Sequence, residues 1–262
     1  MFNAPGSRQK HMSRTRLFSP VPLSANTNVP LVGDQARYIG RVLRLKPGDG
    51  FIIFDGKGGE YPATVATISK TQVEINVAAI QAQNAESPLA IHLLQGVSRG
   101  ERMDFVVQKA TELGVRHITP VLSEFSVVKL DPKRAKKRAQ HWSNIAISAC
   151  EQCGRNVLPH IDAPQPLRNW FGDNMDNNPD SAATRILLRP EAESPLGSIT
   201  KPSGDLTLLV GPEGGFSDAE YEQAGIAGFT AASFGPRILR TETAAIAAIA
   251  VLQSLHGDLG NG

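Results

Sequence analysis

The sequence predicts a chain in two parts, a small N-terminal β-barrel followed by a larger α/β domain with a mostly parallel sheet. Three observations lead there. Up to about residue 80, short β-prone runs alternate with turn signals; beyond residue 88, strand-like runs alternate with helical stretches; and a polar stretch over 81–88 lies between the two rhythms. The chain has 262 residues, 41 % of them hydrophobic and 20 % charged, enough to build a core in one large domain or two modest ones. The expected bounds are an extension over 1–11 with no fold information, a barrel over 12–82, a linker over 83–88 and the α/β domain over 89–262.

In the first part, strands are expected over 15–18, 29–32, 51–54, 61–68 and 73–77. Asp55-Gly56-Lys57-Gly58-Gly59 reads as a hairpin loop. One helix, capped by Asp34, should run to Leu45 and stop before Pro47-Gly48. In the second part, strands are expected over 91–97, 118–122, 186–188, 206–210 and 231–234. Helices are expected over 101–113 and 132–152, after Ser217 and from Thr241, whose hydroxyl would be the N-cap. The stretch 172–182, rich in Asn, Asp and Pro, reads as a surface loop.

Bulk features exclude several classes. Two cysteines, Cys150 and Cys153, cannot form a secreted disulfide framework, and their place at the end of a long helix reads as close packing rather than redox or zinc chemistry. No run approaches the roughly 18 apolar residues of a membrane-spanning helix, and the N-terminus has no signal-peptide h-region. A cytoplasmic protein without membrane or metal partners is expected. The sequence also lacks G-x-G-x-x-G after a strand, the Walker phosphate loop and the G-x-S-x-G elbow, and its six histidines show no H-x-x-x-H spacing.

In open α/β sheets, ligands bind beyond the carboxyl ends of strands, and three such loops stand out here. The apolar run ending at Val210 leads into Gly211-Pro212-Glu213-Gly214-Gly215-Phe216, then into Ser217-Asp-Ala-Glu220, a capping box. Three glycines in five positions let a ligand approach the backbone, although a tight turn alone could also require them. The second loop, Phe234-Gly235-Pro236-Arg237-Ile238-Leu239-Arg240, enters the last helix, where Glu242 complements the dipole. Arg240 opposes that dipole, so it calls for a partner of its own. The third loop follows Leu188 at Arg189-Pro190, and all three could converge on one pocket.

Basic side chains cluster in two places. Arg37, Arg41 and Arg44 fall at i, i+4 and i+7 of the expected helix, with Arg14 and Arg16 on a neighbouring β run. Lys133, Arg134, Lys136, Lys137 and Arg138 surround the first turns of the long helix. The net charge of +2 hides a division: residues 1–85 carry +5, residues 86–160 carry +4 and residues 161–262 carry −7. The arginine stripe suits shaped RNA contacts, and the lysine-rich block suits phosphate attraction without sequence readout.

These residues together resemble the RsmE family of the SPOUT superfamily. The matching segments are Tyr38-Ile-Gly-Arg-Val-Leu-Arg-Leu-Lys-Pro-Gly48, Glu86-Ser-Pro-Leu, Ser98-Arg-Gly-Glu-Arg-Met103, Gln108-Lys-Ala-Thr-Glu-Leu-Gly114, Ala149-Cys-Glu-Gln-Cys-Gly-Arg155, Leu209-Val-Gly-Pro-Glu-Gly-Gly215 and Gly235-Pro-Arg-Ile-Leu-Arg-Thr-Glu-Thr-Ala244. They run in the family's order, and the last two are the most specific. Phe234 stands where that family usually has Leu, and Arg189 where His or Glu is common.

The resemblance implies a PUA-like RNA-binding barrel and an α/β domain threaded as a trefoil knot, which chain-topology rules alone would make very improbable. It implies methylation of N3 of a uridine in 16S rRNA of the small ribosomal subunit, position 1498 in the conventional numbering, by a homodimer using S-adenosylmethionine. Carried onto this sequence, the cofactor would be held by Leu188, Val210, Gly211, Pro212, Glu213, Gly214, Phe234, Gly235, Ile238, Leu239 and Thr243. Arg240 would stabilise charge on a uracil oxygen, with Glu213, Glu242 or water taking the N3 proton. Arg16, Arg41, Arg44, Arg99 and Arg102 would meet RNA. The competing readings are a superfamily member with another target, a ribose 2′-OH or a tRNA base, and a non-catalytic RNA-binding assembly factor.

Overall fold

The computed structural model describes residues 15–126, 131–174 and 183–260. The extension expected over 1–11, Arg14 and most of the polar loop over 172–182 lie outside the described residues. The chain divides into two units, one built from residues up to Ala85 together with Gly154–Val157, the other from Glu86–Cys153 and the chain from Leu158 onward.

In the first unit, strands β1 (Arg16–Phe18), β2 (Thr27–Val32), β3 (Gly50–Phe54), β4 (Tyr61–Ile68) and β5 (Gln72–Val77) form one sheet in the order β1-β3-β4-β5-β2. Only the β1–β3 pair is parallel. Period-two alternation sends Val73, Ile75 and Val77 of β5 inward, where they meet Leu31, Phe51, Ile53 and Val65. The segment Gly154–Val157 joins this unit by backbone pairing. Lys57 bridges to Val157, the Gly58 amide donates to the Asn156 carbonyl at 3.1 Å, and the Asn156 side-chain amide donates to the Gln83 carbonyl at 3.1 Å.

Two expectations need correction here. The helix expected over 34–45 is a single α-turn, α1 (Gly33–Arg37), running into a π-helical turn over Tyr38–Val42. Asp34 is not the N-cap; it sits in the first turn, where its charge complements the dipole and pairs with Arg37 at 2.8 Å. A π-turn widens the helical repeat, and Arg44 lies beyond it with φ +55°, so Arg37, Arg41 and Arg44 are all exposed but share no regular helical stripe. Arg16 is the second correction. Its side chain, 12 % exposed, is ion-paired with Glu60, donates to Asn156 Oδ1 at 2.5 Å and lies over the Phe54 ring. It is engaged within the unit and presents no free guanidinium to RNA.

The second unit holds strands β6 (Ile91–Gly96), β7 (His117–Leu122), β8 (His160–Ile161), β9 (Gln165–Pro166), β10 (Thr184–Leu188), β11 (Leu206–Val210) and β12 (Thr230–Ala232). Its helices are α2 (Arg102–Glu112), α3 (Pro132–Cys153), α4 (Leu167–Asp173), α5 (Asp218–Ile226) and α6 (Thr241–His256). The sheet runs β12-β10-β11-β6-β7-β8, with β9 also on β7, and every registered pair is parallel. β11 is buried along its whole length. Leu206, Leu208 and Val210 face one side with Met103, Val107, Ala248 and Leu252, while Leu209 faces the other with Trp170, Phe171 and Phe229. Each fully buried leucine contributes about 1.5–3 kcal/mol, so this double-sided core fixes the strand ends from which the loops emerge. Cys150 is buried and Cys153 partly so at the end of α3, and neither is in a disulfide.

The chain leaves β6 toward β7 and β8, then crosses the sheet to β10 and places β11 beside β6. Ligand crevices form where the strand order reverses in this way, outside the carboxyl ends. At β6 the end is pinched: a Cβ on Gly96 would collide with Pro212, so only glycine lets the β11 loop come this close.

Near the other ends of these strands, the sheet gathers three of the histidines that looked scattered in sequence. His117 Nε2 donates to Asp162 Oδ2 at 2.7 Å, His160 Nε2 to Asp162 Oδ1 at 2.9 Å, and Thr119 Oγ1 to Asp162 Oδ2 at 2.5 Å. Since the carboxylate only accepts, Thr119 spends its one proton there and must accept from His92 Nε2 at 2.8 Å. His92 and His117 stack at 3.8 Å and 4°. Their in-plane lone pairs therefore run parallel rather than converging, which suits a hydrogen-bond network. Burial first, then the neighbouring His117, lowers the His92 pKa to about 3. Burial opposes ionisation of Asp162, yet the hydrogen bonds from His117 and Thr119 outweigh it and hold the carboxyl well below its usual range.

Two predictions follow from this architecture. Arg16→Ala strands the buried Glu60 carboxylate and should lower the unfolding free energy by about 3–5 kcal/mol in denaturant titrations. Between pH 6.5 and about 3 the unfolded chain binds a proton at His92 that the folded chain refuses, so stability falls as pH drops through that window. The slope reaches at most ~1.4 kcal/mol per pH unit, Asp162 adds to it in the same sense below about pH 4, and His92→Gln, which donates without titrating, should flatten the upper part. An unchanged slope in that variant would assign the acid sensitivity elsewhere.

Candidate functional site

The three loops singled out in the sequence meet in one cleft of about 610 Å³ at the carboxyl ends of β10, β11 and β12. After β11, Gly215 takes φ +70° and its amide closes a turn onto the Pro212 carbonyl at 3.0 Å. Then Ser217 and Glu220 complete the expected capping box, with bonds of 2.9 and 3.3 Å. Phe216 is buried and packs edge-on against Tyr221, which anchors the loop to α5. After β10, the Arg189 guanidinium lies 4.3 Å from the centre of the Tyr221 ring and 3.6 Å from the Glu191 carboxylate. Burial pushes the Tyr221 phenol pKa up, and the Arg189 charge opposes that rise. The guanidinium is thus held by partners available to neither His nor Glu in the same form.

After β12, the chain is tied down on both sides. The Ser233 amide donates to the Ser194 carbonyl at 2.9 Å, and the Leu196 amide donates to the Ser233 carbonyl at 2.8 Å. At the far end, Thr241 departs from its expected role: Arg240 is the N-cap residue, and Thr241 is the first helical residue, buried. Its hydroxyl donates to the Gly211 carbonyl at 2.6 Å and accepts from the Gln95 side-chain amide at 2.9 Å. The start of α6 is therefore bonded to the ends of β6 and β11.

Leu188, Val210, Gly211, Pro212, Glu213, Gly214, Phe234, Gly235, Ile238, Leu239 and Arg240 all line the cleft. Thr243 does not. Thr241 and Ala244, three residues apart on α6, both line it, and the intervening Thr243 is exposed on another face. Glu242 also lies off the lining, with its Oε1 4.0 Å from Arg102 Nε and its Oε2 buried without a partner among the described residues. Arg102, read from sequence as an RNA contact, is ion-paired with Glu213 and lines this cleft. Sequence reasoning missed Glu191 and Tyr221. The loop position of Glu191 was a weak signal, whereas Tyr221 enters only through the folding of α5 against the β10 loop.

The electrostatics of the lining are mixed. Glu191 and Glu213 supply negative charge, Arg240 is exposed with no ion pair among the described residues, and Leu188, Ile238 and Leu239 supply apolar surface, Ile238 at 89 % exposure. Such a cleft can hold a ligand with an apolar ring, a cationic centre and a carboxylate.

The described residues contain no helix long and apolar enough to cross a membrane. Residues 85–253 match the family described as RNA methyltransferase domain, and residues 31–78 match the RNA methyltransferase PUA domain. Ribosomal RNA small subunit methyltransferase E of Buchnera aphidicola from Schizaphis graminum is 38 % identical over 244 residues, 93 % of this chain and 97 % of that one. The Bacillus subtilis protein of the same name is 32 % identical, with 87 % and 92 % covered. Among solved structures, ribosomal RNA small subunit methyltransferase E from Neisseria gonorrhoeae, bound to S-adenosylmethionine, matches with a TM-score of 0.85 and 41 % identity, covering 94 % of this chain and 99 % of that one. With a PUA-type unit ahead of a parallel-sheet unit whose strand-end loops form the cleft, the chain belongs to the ribosomal RNA small subunit methyltransferase E family of RNA methyltransferases.

Proposed function

We propose that this chain binds S-adenosylmethionine in the three-loop cleft and methylates N3 of a uridine in 16S rRNA of the small ribosomal subunit, as a cytoplasmic homodimer. The observation that carries the reading is the convergence of the β10, β11 and β12 loops on one cleft that combines apolar surface, both signs of charge and backbone groups. Its residues suit the methyl donor. A Cβ on Gly211 would come within 3.2 Å of the Phe216 ring and one on Gly214 within 3.1 Å of Phe125, so glycine at both positions lets the loop pack closely against its neighbours. Glu191 and Glu213 suit a cation, and Leu188, Ile238 and Leu239 suit an adenine face.

S-adenosylmethionine, when bound, supplies a methyl group on a sulfonium centre. What remains for the protein is to align the acceptor and to manage the N3 proton. Arg240, held at the entrance of α6 by the Thr241 bonds and without an ion pair among the described residues, stabilises the negative charge that grows on the uracil oxygens as N3 loses its proton. Glu213 lines the cleft and receives that proton; Glu242, set behind Arg102, steadies the guanidinium that pairs with Glu213. The exposed Arg41 and Arg44 bring RNA phosphates to the first unit. The trefoil knot belongs to the same reading. The stretch between β12 and α6 is bonded at one end to the segment after β10 and at the other to the loop after β11, an arrangement compatible with a threaded chain.

The deciding experiment is methylation of unmodified small ribosomal subunits, with the product nucleoside identified by mass spectrometry. N3-methyluridine is expected, and a 2′-O-methylated product would replace this reading with that of another target. Arg240→Ala should lower kcat by about 10²–10³ while S-adenosylmethionine affinity by calorimetry stays within a few-fold. Parallel loss of affinity would make Arg240 a donor-binding residue. The pair Arg41→Ala with Arg44→Ala should weaken RNA binding and reduce the slope of log affinity against log salt by ~0.7–0.9 for each phosphate contact removed, with donor affinity unchanged.

A further inference from the structure

A second cleft, of about 640 Å³, opens where the chain leaves β6 and β7, and it shares Arg102, Pro212, Glu213 and Gly214 with the first. Its other walls come from Val97 and the turn Arg99-Gly100-Glu101 ahead of α2, and from Phe125-Ser126 after β7. The shared wall makes the two clefts neighbours across the Pro212-Glu213-Gly214 stretch. This second cleft lies at the carboxyl ends of β6, β7 and β11, the place where the strand order reverses.

Its chemistry differs from that of the first cleft. Phe125 is a large aromatic side chain left 51 % exposed beside a polar loop, while its own backbone and Cβ lie against Gly214 closely enough that any other residue there would press on it. The ring is thus held at its base and open at its face. Arg102 is already neutralised by Glu213, whereas Arg99 is exposed and has no ion pair among the described residues. A flat apolar face beside an uncommitted guanidinium fits one ligand class: a nucleotide drawn out of an RNA chain, its base on the ring and its phosphate on the cation.

We propose that this second cleft is a substrate-RNA subsite beside the reacting uracil, in which Phe125 stacks on an extruded neighbouring base and Arg99 holds an adjacent phosphate, with the Pro212-Glu213-Gly214 stretch as the wall between it and the three-loop cleft where Arg240 meets the uracil. Phe125 and Arg99 then govern RNA substrate recognition without touching the methyl donor. The proposal rests on the methyltransferase reading above, and it adds residues to which that reading gave no part or only a general RNA contact.

The test uses the full chain with unmodified small ribosomal subunits. Phe125→Ala should reduce kcat/KM for subunits by about tenfold or more, Phe125→Trp should recover most of that loss, and S-adenosylmethionine affinity by calorimetry should stay within twofold in both. Arg99→Ala should raise KM and lower the salt slope of subunit binding by ~0.7–0.9. Thermal melts and sedimentation of each variant accompany these measurements. The proposal is overturned if Phe125→Ala leaves kcat/KM unchanged, if it weakens donor binding in parallel with turnover, or if it dissociates or unfolds the protein while Phe125→Trp fails to restore activity. A wild-type chain that methylates no subunits sinks the methyltransferase reading instead, so the two failures are separable.

Discussion

The second unit hangs on one hydroxyl. Thr241 stands between a carboxamide that has no exposure to water, Gln95, and the carbonyl of the first loop glycine, Gly211. Through it the carboxyl end of β6, the glycine loop after β11 and the first turn of α6 become one object. A side chain of the same shape without oxygen would take the hydroxyl donor from the Gly211 carbonyl and leave the Gln95 side-chain amide only its bond to the Gly96 carbonyl, at a cost of ~1–3 kcal/mol. The loss would also be geometric: Arg240 precedes Thr241, and Pro212 follows Gly211 in the wall between the two clefts. A site assembled from loops owes its precision to such bonds more than to the loops themselves.

Much of this architecture was legible in the sequence because the underlying patterns are strong. The period-two run of β5, the leucine-rich run of β11 and the Ser217/Glu220 box each have one physical interpretation, and each forms where it was expected. The convergence of three loops was readable from strand-to-helix order and from the misplaced charge of Arg240. What was illegible depends on contacts between distant segments. Arg16 read as a free cation because nothing local reveals Glu60, 44 residues away, or Asn156, 140 residues away. The three histidines around Asp162 lacked spacing in sequence because parallel register, not chain proximity, stacks them. The helix expected over 34–45 failed for a different reason: periodicity arguments assume 3.6 residues per turn, and the π-turn over Tyr38–Val42 breaks that assumption.

Charge distribution gains meaning from these corrections. The basic excess of the first 160 residues is not uniformly available, since Arg16 is spent on Glu60 and Arg102 on Glu213. Arg41, Arg44, Arg99 and the lysine-rich start of α3 are among the basic side chains that are exposed. The acidic excess of the last third is not gathered in the three-loop cleft, where Glu191 and Glu213 stand beside Arg189, Arg237 and Arg240.

The four residues Gly154–Val157 carry a consequence for how this protein can change over evolutionary time. They arise between α3 and β8 yet complete the first unit, supplying the Asn156 side chain to Arg16 and the Asn156 carbonyl to Gly58. A gene fragment ending at the polar stretch near Ala85 would encode all five strands but not this strap. The N-terminal unit is therefore no detachable cassette: exchanging it for another RNA-binding fold demands two coordinated edits, some seventy residues apart in the reading frame.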